Sequence, residues 1–364
     1  MAKMSHLNLR MLDLYSDYLI SSFSYTTATG MSAMLNGSIS HDQITRFLSA
    51  DDYTSKNLWH LVKPTLREIE SDDGVLVFDD TVEEKLYTDE NDIIAWHFDH
   101  TFGRSIKGVN IISCAYVNNA ATIPLAFDIV RKPTEIIDPK TGKKKRVAEV
   151  TKNQLFRSQF DRALKNNVRF AYVLADIWFS SVDNMEHIIE KKKHFIFPLK
   201  SNRLVALSRE DKLDGKFQAV ESLTLEQGQV LRVFLKGLET EVLLCRQVFI
   251  NGDGSTGILY LASSDLTLDF TGITTIYQKR WKVEEFHKSI KSNTALAKSP
   301  TKTPRSQGNH FFASIYGHFK LETLKMKTKK NHFALKSQIY LQAVRQSFAA
   351  LRELQAENMA LRGA

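Results

Sequence analysis

The spacing of apolar positions changes along the chain, and each change marks a new kind of element. Between Leu7 and Leu19, the residues Leu9, Met11, Leu12, Leu14, Tyr15 and Tyr18 recur at mixed three- and four-residue intervals, the pattern of a buried helix. Ser40 stands before Ile44, Phe47 and Leu48, a cap followed by one apolar face. The stretch 55–70 carries Leu58, Leu61, Val62 and Leu66 in the same way. Residues 1–73 therefore read as a helical domain. Short helices with a face bearing Ser, Thr and Arg suit a helix-turn-helix reader of DNA, although a plain bundle docking on its neighbour has the same spacing.

At Gly74 the texture turns to strands. Val75, Leu76, Val77 and Phe78 are apolar on both faces, as in a central strand covered by helices on each side, and the run ends in Asp79, Asp80 and Thr81. Further strands are expected at 93–98, 109–117 and 122–130, with a turn at Asn118 and Asn119. A polar loop or hairpin tip at 131–150 holds Lys143, Lys144, Lys145 and Arg146, either a solvated face or a set of phosphate contacts. Then come a helix at 151–165, a strand at 170–175 ending in Asp176, a helix at 182–192 and a strand at 194–199. Strands, helix, strand, helix and strand in this succession are the RNase H order, in which the first and fourth core strands lie side by side.

Residues 200–268 alternate, as at 230–235 and 241–245, with turn signals at Gly237 and at 251–254. They read as a β-rich insertion placed before the last core helix, expected at 271–291. Basic turns follow at Lys298, Lys302 and Arg305, and 309–361 reads as helix. The expected organisation is a helical DNA-binding domain (1–73), the core's first part (74–199), the insertion (200–268), the core's second part with the glutamate helix (269–325) and a helical tail (326–364). The fold class is α/β, an RNase H-like mixed sheet flanked by helices.

Composition sharpens this only a little. At 364 residues the chain is too long for one ordinary core. Lys and Arg number 49 against 41 Asp and Glu, a net charge of +8 that tilts towards a polyanionic partner. No run of about 18 apolar residues suggests a membrane span, and residues 1–10 lack the apolar core of a signal peptide. Cys114 and Cys245 sit far apart in strand-like segments, as buried reduced thiols do, which fits a cytoplasmic setting.

The candidate chemistry lies in carboxylates. Asp79 and Asp80 end one apolar strand and Asp176 ends another, and a charge there is costly unless hydrated, paired or bound to metal. Each alone is also an ordinary turn former. On a continuous helix with Tyr277 as origin, Arg280 falls at about −60°, Glu284 at about −20° and Lys291 at about −40°, one narrow stripe beside an apolar face of Val283, Phe286 and Ile290. A solvated face with intrahelical ion pairs gives the same spacing.

Tyr277, Arg280, Glu284 and Lys291 fill a Tyr-x2-Arg-x3-Glu-x6-Lys pattern, behind Asp79, Asp80 and Thr81 and behind Ala175, Asp176, Ile177 and Trp178. In this the chain resembles bacterial insertion-sequence transposases of the DDE type, over roughly residues 74 to 320. The resemblance implies a catalytic triad of Asp80, Asp176 and Glu284, Asp80 being chosen over Asp79 because the family's first aspartate directly precedes the threonine. Strand alternation leaves both open. It further implies two Mg²⁺ or Mn²⁺ ions bridged by Asp80. Phosphate contacts would come from Arg280 and Lys291, and a phosphate or sugar contact from Tyr277. The expected partners are double-stranded DNA, as terminal inverted repeats and target, and a second copy of the chain on that DNA. Cleavage would free a 3′-hydroxyl that then attacks the target, as in cut-and-paste transposition. The rival expectations are a nuclease of the same fold without strand transfer, and a catalytically silent DNA-binding descendant.

Other features take plainer readings. His97, Asp99 and His100 lack a further ligand for zinc. Trp178 and Trp281 read as core. The stretch 103–108 lacks the ending of a phosphate-binding loop.

Overall fold

The computed structural model describes residues 8–99, 103–139, 141–250 and 252–362. The chain opens with α1 (Leu9–Ser21), α2 (Ala28–Met34), α3 (His41–Ala50) and α4 (Ser55–Ile69). Ser40 caps α3 as expected: its hydroxyl accepts from the Gln43 N–H at 3.3 Å, and its own N–H donates to Gln43 Oε1 at 2.9 Å. Such a reciprocal cap contributes about 1 kcal/mol. Strands β1 (Val75–Glu84), β2 (Ala95–Asp99), β3 (Arg104–Val117) and β4 (Thr122–Ile129) follow, then a separate hairpin of β5 (Thr134–Ile137) and β6 (Lys144–Val147). Next come α5 (Lys152–Lys165), β7 (Tyr172–Ala175), α6 (Val182–Glu190) and β8 (His194–Leu199).

The first core strand, β1, lies beside β7, the strand after α5, as the RNase H order requires. β1 pairs antiparallel with β3 and parallel with β7, which pairs parallel with β8; β3 pairs antiparallel with β4. The long β3 also pairs with β2 through its first half. Its register with β4 shifts between Cys114 and Ala115, opposite Pro124, which has no N–H to give the ladder. Gly108 allows β3 to close on β1, since a Cβ there would meet Glu83 O at 2.2 Å. Phe78 of β1 meets Phe156 of α5 with centroids 4.4 Å apart, and Phe156 goes on to Phe179 and Phe197. Both cysteines are buried and free.

The β-rich stretch extends this same sheet. It comprises β9 (Leu204–Ala206), α7 (Arg209–Leu213), β10 (Gln218–Ala219), β11 (Val230–Leu235), β12 (Glu241–Ile250) and β13 (Thr256–Ser263). β13 pairs antiparallel with β8, and the sheet runs on through β12, β11, β9 and β10. Alternation shows only that one face of a strand is buried; it does not say which edge receives it.

The last core helix is two helices, α8 (Phe270–Gln278) and α9 (Trp281–Asn293). Between them Lys279 N–H donates to Ile276 O and Arg280 N–H to Tyr277 O, bonds that close after three residues and break the regular turn. The expected tail helix is likewise divided, into α10 (Pro304–Thr328) and α11 (His332–Arg362), by Lys329 with φ of 59°.

The chain forms two compact units, one of residues 54–286 and one of 1–53 with 287–364. The first is the mixed sheet with its flanking helices. The second is helical: Tyr15 Oη meets His310 Nδ1 at 2.9 Å, and Asn309 Nδ2 donates to Leu48 O at 2.9 Å, which ties α1 and α3 to α10. Among the described residues no helix is long and apolar enough to cross a membrane.

Candidate active site

The parallel pairing of β1 with β7 brings two aspartates to one level. Phe78 is the register partner of Ala175, and Asp79 and Asp176 are the residues that follow. Side chains alternate along a strand. Phe78 faces α5, and so does Asp80, whose Oδ2 accepts from Lys152 Nζ of α5 at 2.6 Å and from Asn110 Nδ2 of β3 at 2.7 Å. Asp79 leaves from the other face, where its carboxylate is sensed by Tyr277 and Arg280. Asp79 Oδ1 accepts from the Asp80 N–H at 2.8 Å, and Asp176 Oδ1 from the Ile177 N–H at 2.5 Å.

The electrostatics are those of acids crowded in a dry place. Burial pushes the Asp79 carboxyl up to about 7, and Asp80 and Asp176 add to this while Arg280 opposes it. The Tyr277 hydroxyl is raised as well, by burial first and then by Asp176 and Asp79, so it stays a neutral donor at neutral pH. Burial works against the charge of Arg280, but Tyr277, Glu284 and Asp79 outweigh it and keep the guanidinium protonated. Arg280 donates to Glu284 Oε1 at 2.7 Å and lies 5.7 Å from the centroid of the Tyr277 ring. It thereby links the helix glutamate to Asp79. Burial first, and then the neighbouring carboxyls, disfavour the charged form of Asp79, and a bound cation would relieve both. The donors are all oxygen, the set that suits a hard divalent cation.

Asp79, Asp176, Tyr277, Arg280 and Glu284 thus form one connected group. Asp80 sits back to back with it, held by Lys152 and Asn110, neither of which stood out in the sequence. Lysine in the first turn of a helix opposes the helix dipole, and that misfit is the one local sign of a special task for Lys152. His97 is buried nearby; burial, then Lys132 and Lys152, push it down to about 3 against the pull of Asp80, so it is neutral. His100 lies outside the described residues. Lys291 falls seven residues beyond Glu284 on α9, within the helical unit. The basic run lies on the β5–β6 hairpin, where Lys144 meets Glu135 at 2.9 Å, Lys145 meets Asp138 at 2.7 Å and Arg146 donates to Pro133 O at 3.1 Å. Trp178 and Trp281 are not core but 45% and 59% exposed. The short turn after Asp176 turns Phe179 inward in place of Trp178, and Trp281 begins α9 on its outer side.

Residues 4–212 match the family described as DDE superfamily endonuclease, and residues 136–316 match the family described as Transposase DDE domain. No curated protein matches. Among solved structures, the Drosophila P element transposase strand transfer complex is similar at 12% identity and a TM-score of 0.24, over 51% of this chain and 40% of that one. The match thus spans less than half of that transposase chain, and a likeness so slight bears on neither fold nor chemistry.

Proposed function

The chain belongs to the DDE superfamily of endonucleases, and we propose that it is a DNA transposase that cuts at the ends of a mobile element and joins them to a target. The observation that carries this reading is the meeting of strand-end aspartates with the Arg280–Glu284 pair across one face of the sheet. We assign cation binding to Asp79, Asp176 and Glu284. Asp80, the aspartate next to the threonine, would be the neighbour that Lys152 and Asn110 hold in place. The register of β1 with β7 and the salt bridge to Lys152 both support this choice of Asp79 over Asp80.

When bound, a pair of Mg²⁺ or Mn²⁺ ions supplies an activated water or 3′-hydroxyl and charge neutralisation at the leaving oxygen. The chain's own residues do the rest. Asp79, Asp176 and Glu284 offer rigid anionic oxygens. Arg280 holds Glu284 in its rotamer and stands ready to bond a phosphate oxygen in exchange. Tyr277 offers a neutral O–H. Lys291 and the β5–β6 hairpin supply phosphate contacts, and the N-terminal helices read the element's ends in double-stranded DNA, with two copies of the chain engaged.

The test is joining. The purified full chain is given Mg²⁺, a target plasmid and pre-cut 3′-hydroxyl ends made from DNA flanking its own reading frame. Joined product that Asp176→Asn does not form supports transposition. Nicking without joining points to a nuclease, and binding without nicking to a silent descendant.

A further inference from the structure

We infer that His318, Glu322 and His332 form a Zn²⁺ site that fastens α10 to α11, apart from the carboxylate group in the sheet. His318 and Glu322 are four residues apart on α10 and share a face. The left-handed turn at Lys329 ends α10, and His332 opens α11 beside them. One donor atom from each lies within 4.8 Å of the others, and His332 Nε2 is 2.8 Å from Glu322 Oε2. The rings of His318 and His332 meet edge to face with centroids 4.7 Å apart. All three residues are buried, at 2%, 1% and 6% exposure.

The surroundings orient the donors. His332 Nδ1 meets Ser289 Oγ at 2.8 Å, and Asn293 Nδ2 donates to the same oxygen at 3.1 Å, so Nε2 is the nitrogen turned to Glu322. Lys325 Nζ holds the other carboxylate oxygen, Oε1, at 2.7 Å and leaves Oε2 to the cluster. Outer partners of this kind fix the orientation and basicity of metal ligands. Two imidazoles and one carboxylate suit zinc, whereas the all-oxygen sheet site suits hard ions. Tetrahedral bonds of about 2.1 Å set ligand atoms about 3.4 Å apart, a spacing within reach of small side-chain shifts here.

The full chain, stripped of metal, is titrated with Zn²⁺ against a chromophoric chelator, and with Co²⁺ as a spectroscopic stand-in. One tight Zn²⁺ per chain is expected, with the intense visible bands of four-coordinate Co²⁺. His318→Ala and His332→Ala should each weaken Zn²⁺ binding at least about 100-fold with helicity unchanged, while Asp176→Asn leaves it intact. If an alanine variant does not fold, Glu322→Gln takes its place. Failure of the wild-type chain to take up Zn²⁺ tightly would overturn the inference, whatever the variants do. So would equal uptake by the histidine variants, or loss of uptake in Asp176→Asn.

Discussion

Asp79 and Asp176 leave two parallel strands from the same rung, one step beyond the paired residues Phe78 and Ala175, while Asp80 leaves from the opposite face into a salt bridge with Lys152. The assignment we propose sets an order of importance among the carboxylates. Asp79→Asn, Asp176→Asn and Glu284→Gln should each slow Mg²⁺-dependent strand cleavage at least about 1,000-fold, some 4 kcal/mol of barrier, with DNA binding largely kept. Asp80→Asn, which under the proposed assignment disturbs a neighbouring support, should cost about 10- to 100-fold. Single-turnover nicking of an end-containing oligonucleotide measures all four. A dead Asp80→Asn beside an active Asp79→Asn would reverse the assignment.

The crowding around Asp79 also sets a pH dependence of stability. Its carboxyl is at about 7 in the folded chain against an ordinary 3.8. Between those values the folded state holds a proton that the unfolded state has lost. Stability therefore falls as pH rises through that window and stays lowered above it. Asp79→Asn removes the penalty. It should raise Tm at pH 8 by several degrees, roughly 2–4 °C for each kcal/mol, and have little effect near pH 4. Thermal melts by circular dichroism without divalent ions provide the check. Added Mg²⁺ should stabilise the wild-type chain and leave the variant largely unmoved.

Much of the core could be read from the sequence because its signals are local. Val75 to Phe78 are apolar on both faces, and only a covered strand tolerates that. What could not be read depends on partners. Asp79 and Asp80 are indistinguishable when both faces of β1 are buried; only the register with β7 shows that Asp79 is the one that follows the Phe78–Ala175 pair. The strands from 204 to 263 alternate correctly, but nothing in alternation announces that β13 would join β8. No glycine or proline marks the break between Gln278 and Trp281, so the stripe drawn on one continuous helix survives as a meeting of Tyr277, Arg280 and Glu284 only because the intervening turns are tight. His318 and Glu322 show helical spacing, but their third companion arrives through a left-handed turn at a lysine, which no pattern foretells.

Arg280 is paired with Glu284 and acts electrostatically on Asp79, so its removal should be visible in the pH profile as well as the rate. Arg280→Ala takes away a nearby cation that lowers Asp79. The acid limb of cleavage against pH should then move to higher pH, and more Mg²⁺ should be needed at a given pH. Arg280→Lys, which keeps the charge but not the paired N–H geometry, should restore the limb and only part of the rate. A loss of rate with an unmoved limb would mean that Arg280 acts on DNA alone.

The basic hairpin allows a count of phosphate contacts. Lys144 and Lys145 already face Glu135 and Asp138, so binding DNA through them means giving up those pairs, whereas among the described residues Lys143 has no such ion pair and Arg146 is tied to backbone carbonyls. Each phosphate contact contributes about 0.9 to the slope of log affinity against log salt. Replacing all four basic residues by alanine should therefore flatten that slope by about two contacts' worth, not four, and weaken specific and non-specific binding alike. Reversing the acids, with Glu135→Lys and Asp138→Lys, should steepen it. Fluorescence anisotropy of labelled duplex across a salt series gives both slopes, and an unchanged slope in the alanine chain would show that the hairpin stays clear of the DNA.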